Sequence, residues 1–140
     1  MTETPRALVY SDDPKVRAAV LTAVGRRPAP ELGQVDWIEC ATGEELLATV
    51  DGGGVWLAVL DGEARPAGGL GLAKQLKDEL VDCPPTLVLV ARKDDAWLAK
   101  WSMADGVETL PIDPPALTST VAGLLRQYGS AVPVRRTHAL

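Results

Sequence analysis

Residues 55–61 read Val-Trp-Leu-Ala-Val-Leu-Asp. Six apolar residues closed by an acid are too few for an ordinary helix and leave no polar face. A strand of that composition needs cover on both sides, which is the place of a central strand in a parallel sheet. Gly52-Gly53-Gly54 punctuates its entry, and a loop with Pro66, Gly68 and Gly69 follows its exit.

Working outward, the same alternation repeats along the chain. Ala7 to Tyr10 is a buried-strand pattern that stops at Ser11-Asp12-Asp13, three N-cap residue types, with Pro14 suited to a first helical turn. Val16, Val20 and Val24 then recur at helical spacing up to Gly25. Residues 34–40 give a second strand. Thr42 and Glu45 form a capping box for a second helix through Val50. A third helix is expected over Leu70 to Leu80, and a fourth strand over Thr86 to Val90. Asp94 or Asp95 caps a fourth helix reaching about Ala104, and Val107 to Leu110 makes a fifth strand. Pro114-Pro115 opens a last helix striped with Leu117, Val121, Leu124 and Leu125. Five such units predict an α/β fold of the flavodoxin-like type, a doubly wound five-stranded parallel sheet with helices on both faces. The domain spans residues 1–127, and 128–140 read as a polar C-terminal tail.

Composition narrows the function. The 140 residues suit one domain, with 46% hydrophobic and 24% charged residues. Fourteen Lys plus Arg against nineteen Asp plus Glu give a net charge of −5, the wrong sign for a nucleic-acid binder. No apolar run is long enough to span a membrane and the first residues are no signal peptide, so a cytoplasmic protein with no direct membrane insertion is expected. Cys40 and Cys83 are far apart and form neither a CxxC motif nor a zinc site, and read as small buried residues. The single His138 lies near the end of the tail, which argues against histidine-based catalysis. We expect no enzyme.

Ligands of an open parallel sheet bind at the carboxyl ends of its strands. There the chain places Ser11-Asp12-Asp13, Asp61, Val90-Ala91 and Leu110-Pro111. Asp12, Asp13 and Asp61 could converge on Mg²⁺, which takes one or two carboxylates together with water and phosphoryl oxygens. The competing reading is that Ser11, Asp12 and Asp13 merely cap the first helix. Gly68-Gly69-Leu70-Gly71 is no phosphate loop, because no Gly-Lys-Ser/Thr follows.

In order and spacing these anchors, with Gly69-Leu70, Ala91 to Asp95 and Leu110 to Pro114, resemble the response-regulator receiver domain over about residues 6–127. The resemblance makes Asp61 the counterpart of the phosphoacceptor. It puts Ser11 and Asp12 on the two positions that hold acids for Mg²⁺, with Asp13 just beyond. It also puts Val90 where receivers carry a hydroxyl and Leu110 where they carry a lysine, so both groups are missing. The aromatic residue usual on the fifth strand is missing too, and Pro66 stands one residue late after Glu63-Ala64-Arg65. Arg65, Arg92 or Lys93 are the candidates for a substitute cation. A cis Leu110–Pro111 bond is expected by analogy with the family.

Residues 95–104 are apolar around most of a helix, with Trp97 and Trp101 on one face. Either both rings supplement a core without Phe, or they form a protein-binding patch. In receivers the face of the fourth helix, fifth strand and fifth helix is where partners dock. The resemblance therefore implies a stand-alone, degenerate receiver of actinobacterial orphan type that works by protein–protein contact, with no cofactor unless Mg²⁺. Some receivers of that kind are associated with the respiratory NADH dehydrogenase complex, which it implies as a partner. A phosphorylation-competent regulator using Asp61 and a flavodoxin-like small-molecule binder are the alternatives.

Overall fold

The computed structural model describes residues 4–128. Five parallel strands, β1 (Arg6–Tyr10), β2 (Asp36–Cys40), β3 (Val55–Asp61), β4 (Thr86–Val90) and β5 (Gly106–Thr109), lie in the order β2-β1-β3-β4-β5. The connecting helices are α1 (Pro14–Val24), α2 (Gly43–Asp51), α3 (Gly69–Glu79), α4 (Ala96–Trp101) and α5 (Pro114–Tyr128). The expected α/β fold and its element order are present.

Strand side chains alternate between two cores, as the pleat requires. Ala7, Val9, Leu57, Val59, Leu87 and Leu89 pack with Val20 and Val24 of α1 and with Val121, Leu124 and Leu125 of α5. Leu8, Tyr10, Ala58, Leu60, Val88 and Val90 pack on the other face with Leu46 of α2, Leu72 and Leu76 of α3 and Ala99 of α4. Burial on both sides explains why β3 and β4 read as unbroken apolar runs.

Several boundaries differ from the expectation, by one residue for β1 and α3 and more tellingly elsewhere. The second strand starts at Asp36 rather than 34, because the Val35 amide turns away to the Arg26 carbonyl at 2.6 Å. The fifth strand is shifted to Gly106–Thr109. The fourth helix is much shorter than 95–104: a 3-10 turn at Lys93–Asp95 precedes it, and it ends at Trp101. Met103 takes a left-handed φ of 61°, its N–H meets the Lys100 carbonyl, and the Ala104 N–H meets that of Ala99. That is a Schellman stop with methionine in the place usually held by glycine. Asp95 precedes α4 without a side-chain cap bond. Cys40 is buried as expected, whereas Cys83 is only partly so. The tail beyond Tyr128, with Arg135, Arg136 and His138, lies outside the described residues.

Candidate functional site

The register of β1 on β3 pairs Val9 with Val59 and Tyr10 with Leu60. One step further places Ser11 beside Asp61, on the same side of the sheet. The Ser11 hydroxyl donates to Asp61 Oδ2 at 2.8 Å and accepts the Asp13 N–H at 3.0 Å. The Glu63 N–H donates to Asp61 Oδ1 at 2.8 Å. Ser11 is fully buried and Asp61 is 3% exposed, so both oxygens of this carboxylate find donors inside the protein.

The backbone around it is packed with equal closeness. The Gly62 N–H reaches the Leu89 carbonyl at 2.8 Å. A Cβ on Gly62 would stand 2.6 Å from that carbonyl oxygen, and one on Gly69 would stand 2.7 Å from the Asp61 carbonyl oxygen. Glycine at both places lets the end of β3 and the start of α3 touch.

The intervening loop is strapped down from two sides. Ala64 is buried in the core beneath α3, and its N–H meets the Asp61 carbonyl at 3.1 Å. The Arg65 N–H donates to Asp12 Oδ1 at 3.1 Å, and the Tyr10 hydroxyl donates to the Ala67 carbonyl. Burial pushes the Tyr10 phenol above its ordinary range, and the charges of Asp12 and Asp61 push it further. The peptide bonds Leu110–Pro111, as expected, and Arg65–Pro66 are cis.

Asp12, Asp13 and Asp61 do not assemble as one metal-ligand set. Asp13 is the N-cap of α1, its Oδ1 accepting the Lys15 N–H at 2.9 Å, so for this residue the capping reading holds. Asp12 is exposed and engaged by the loop. Among the described residues no three His, Cys, Asp or Glu side chains stand together as a metal-holding group. With a hydroxyl proton already directed at Asp61, the residues as they stand do not fit Mg²⁺.

Val90 is fully buried in the core under α3 and α4, and Leu110 packs half-buried against the core of α1 and α5. Neither supplies a hydroxyl or a cation. Arg65, Arg92 and Lys93 are exposed, and Arg92 turns toward Asp95 at 3.4 Å. Arg17 was not among these candidate cations, and it binds at the end of β1 instead. Its Nη1 donates to the Ser11 carbonyl at 2.6 Å and its Nε to Glu39 at 3.0 Å. Its place in the first turns of α1, behind the end of β1, was the available signal. Tyr10 was missed because an aromatic residue closing an apolar strand reads as core.

At the other edge of the sheet Trp97 and Trp101 are 66% and 52% exposed, joined by Met103 and by Val107 of β5. The two rings are surface, not core. Behind them the Lys77 ammonium pairs with Asp105 at 2.7 Å, and the same carboxylate accepts the Thr86 N–H at 2.8 Å, tying α3 to the segment between α4 and β5. No helix among the described residues is long and apolar enough to cross a membrane.

Searched against family models, the chain matches none. It is 52% identical over 121 residues to an uncharacterized response regulatory protein of Mycobacterium tuberculosis, found in two strains, covering 86% of this chain and 91% of the relative. Among solved structures it is similar to the receiver domain of the Francisella response regulator 1452, with TM-score 0.74 and 21% identity over 89% of this chain and 98% of that one. It also resembles the chemotaxis response regulator CheY4 of Vibrio cholerae, with TM-score 0.71 and 19% identity over 88% of this chain and all of that one. The response regulator TrrA of Thermotoga maritima, solved in complex with Mg²⁺ and BeF, gives TM-score 0.71 and 25% identity over 87% and 100% of the two chains.

Proposed function

The chain belongs to the response-regulator receiver family, and on that premise we propose that it is a pseudo-receiver: a non-enzymatic cytoplasmic module that regulates by protein–protein contact, independently of phosphorylation. The observation that carries this reading is the state of Asp61, buried at 3% exposure with Oδ2 held by the Ser11 hydroxyl and Oδ1 by the Glu63 N–H. A phosphoryl group there would have to displace both donors, and the positions that carry a hydroxyl and a lysine in the family hold Val90 and Leu110 here. The output surface in this reading is the face of α4, β5 and α5, where Trp97 and Trp101 offer the wide aromatic area common in binding hot spots.

The test has two arms. Incubation with Mg²⁺ and acetyl phosphate, read by intact mass, is expected to leave the protein unmodified. Stoichiometric phosphate that disappears in Asp61→Asn would instead make it a working phosphoreceiver. In the second arm, the double variant Trp97→Ala and Trp101→Ala is expected to lose its partner in pulldown from the native host while its thermal unfolding stays cooperative. The partner carried over from the resemblance is the respiratory NADH dehydrogenase complex. Pulldowns devoid of its subunits would remove that assignment, and unchanged pulldown by the double variant would remove this face.

A further inference from the structure

The amino ends of the strands, opposite Asp61, carry a concavity of their own. A cleft of about 330 Å³ opens there over an apolar floor of Leu32, Val35, Trp56 and Leu125. Val35 and Leu125 are buried, whereas Leu32 and Trp56 are half-buried. The wall is held in place by backbone bonds. The Leu32 N–H closes the 3-10 turn Pro30–Leu32 on the Ala29 carbonyl at 3.1 Å, and the Asp36 N–H meets the Pro5 carbonyl at 2.9 Å. At the rim Arg126 of α5 reaches across to that turn, its Nε donating to Glu31 Oε2 at 2.6 Å. This hydrogen bond lowers the Glu31 carboxyl below its ordinary range, so both groups are charged at neutral pH. The two side chains are 52% and 56% exposed, so solvent screens the pair and opening it costs little.

The cleft is at the small end of the volumes that hold metabolites, which calls for a compact ligand. Its floor takes hydrocarbon or a ring, and the indole of Trp56 suits an aromatic face. The rim sets the charges. A ligand with a single charge engages one rim group and strips the other of its partner, whereas one with both signs exchanges one ion pair for two. Because the rim groups already stand at hydrogen-bond distance, the opposite charges of the ligand must be equally close, as they are on a single α-carbon. We propose that this cleft is a binding site for an α-amino acid with a large apolar side chain: its carboxylate meets Arg126, its ammonium meets Glu31, and its side chain lies on Trp56 between Val35 and Leu125. The site is at the other end of the molecule from Asp61 and does not depend on whether Asp61 accepts phosphate.

The experiment titrates the full chain with L-phenylalanine, L-leucine, phenylpropionate and phenethylamine by calorimetry, and follows the backbone and indole N–H shifts of isotope-labelled protein. One amino acid is expected to bind per chain, with shifts centred on the turn, Trp56 and Arg126. Phenylpropionate lacks the ammonium and phenethylamine the carboxylate, and each is expected to bind about tenfold more weakly than L-phenylalanine. Two variants test the rim. Glu31→Gln is expected to weaken L-phenylalanine about tenfold and to improve phenylpropionate, because Arg126 loses its internal competitor. Arg126→Gln is expected to do the same in favour of phenethylamine. A pair that only shapes the cleft would weaken every ligand alike, and that result overturns the proposal. So does the absence of saturable binding by both amino acids, equal binding of either analogue, or shifts centred on Asp61. Should a variant fail to unfold cooperatively, the ranking of the ligands on the wild type decides alone. Since no phosphodonor or partner enters, failure here would leave the pseudo-receiver reading standing, and a failed pulldown would leave the cleft standing.

Discussion

At the scale of single residues, the pocket is governed by what small side chains leave out. Gly69 permits the first turn of α3 to lie on the Asp61 backbone, where a methyl group would meet a carbonyl oxygen at 2.7 Å. Because that neighbour is backbone, it has little freedom to yield, and Gly69→Ala is expected to destabilise the fold by about 1–3 kcal/mol. Gly71, two residues on in the same helix, has nothing within 4 Å of such a methyl. There Gly→Ala removes only the entropic cost of glycine in a helix, and stability is expected to rise by about 0.5–1 kcal/mol. Urea unfolding of the pair checks both signs at once. The site was legible to the same depth: Asp61, Ser11 and the apolar Val90 and Leu110 could be placed from order and spacing. Which of Asp12 and Asp13 served as cap could not, since both are N-cap residue types and only the turn geometry selects Asp13. The Tyr10 hydroxyl joins the end of β1 to the carbonyl of Ala67, far along the chain, and no local pattern announces such a pair.

At the scale of elements, capping chemistry and periodicity carried most of the reading. The box of Thr42 and Glu45 opens α2 as expected, with the Glu45 N–H on Thr42 Oγ1 at 3.1 Å. The alternating cores follow from runs that are apolar at every position. The fourth helix escaped, because its end depends on Met103, a good helix former that takes a positive φ. Propensity argues for continuing the helix, and the Schellman bonds to Ala99 and Lys100 stop it. Met103→Gly is therefore expected to stabilise the protein by about 1 kcal/mol through relief of the left-handed strain. Chemical denaturation measures the gain, and a loss of stability would mean that the half-exposed Met103 side chain contributes more than its backbone costs.

At the scale of the whole molecule, two weak acids of raised pKa, the buried Tyr10 and the partly buried Cys83, are expected to set the alkaline limit. Burial drives the Cys83 thiol up to about 11, and burial with the nearby Asp12 and Asp61 charges raises the Tyr10 phenol. In the unfolded chain these groups ionise at about 8.5 and 10. A folded pKa above the unfolded one gives stability that is whole below the unfolded value and is lost as pH rises toward and through the folded value. Urea midpoints are thus expected to hold from neutral pH to about 8 and then to fall. Cys83→Ala should flatten the first part of that fall, and an equally steep decline in the variant would clear the thiol of responsibility. A different consequence follows from how the four indoles are shared out. Trp37 and Trp56 are packed against the core of α1 and α5, while Trp97 and Trp101 stand in solvent on the far edge of the sheet. The molecule thus carries two optically separate populations. An aqueous quencher reaches the outer pair first, and whatever covers that edge announces itself as a blue shift in their emission, so the native protein can report its own occupancy without a label.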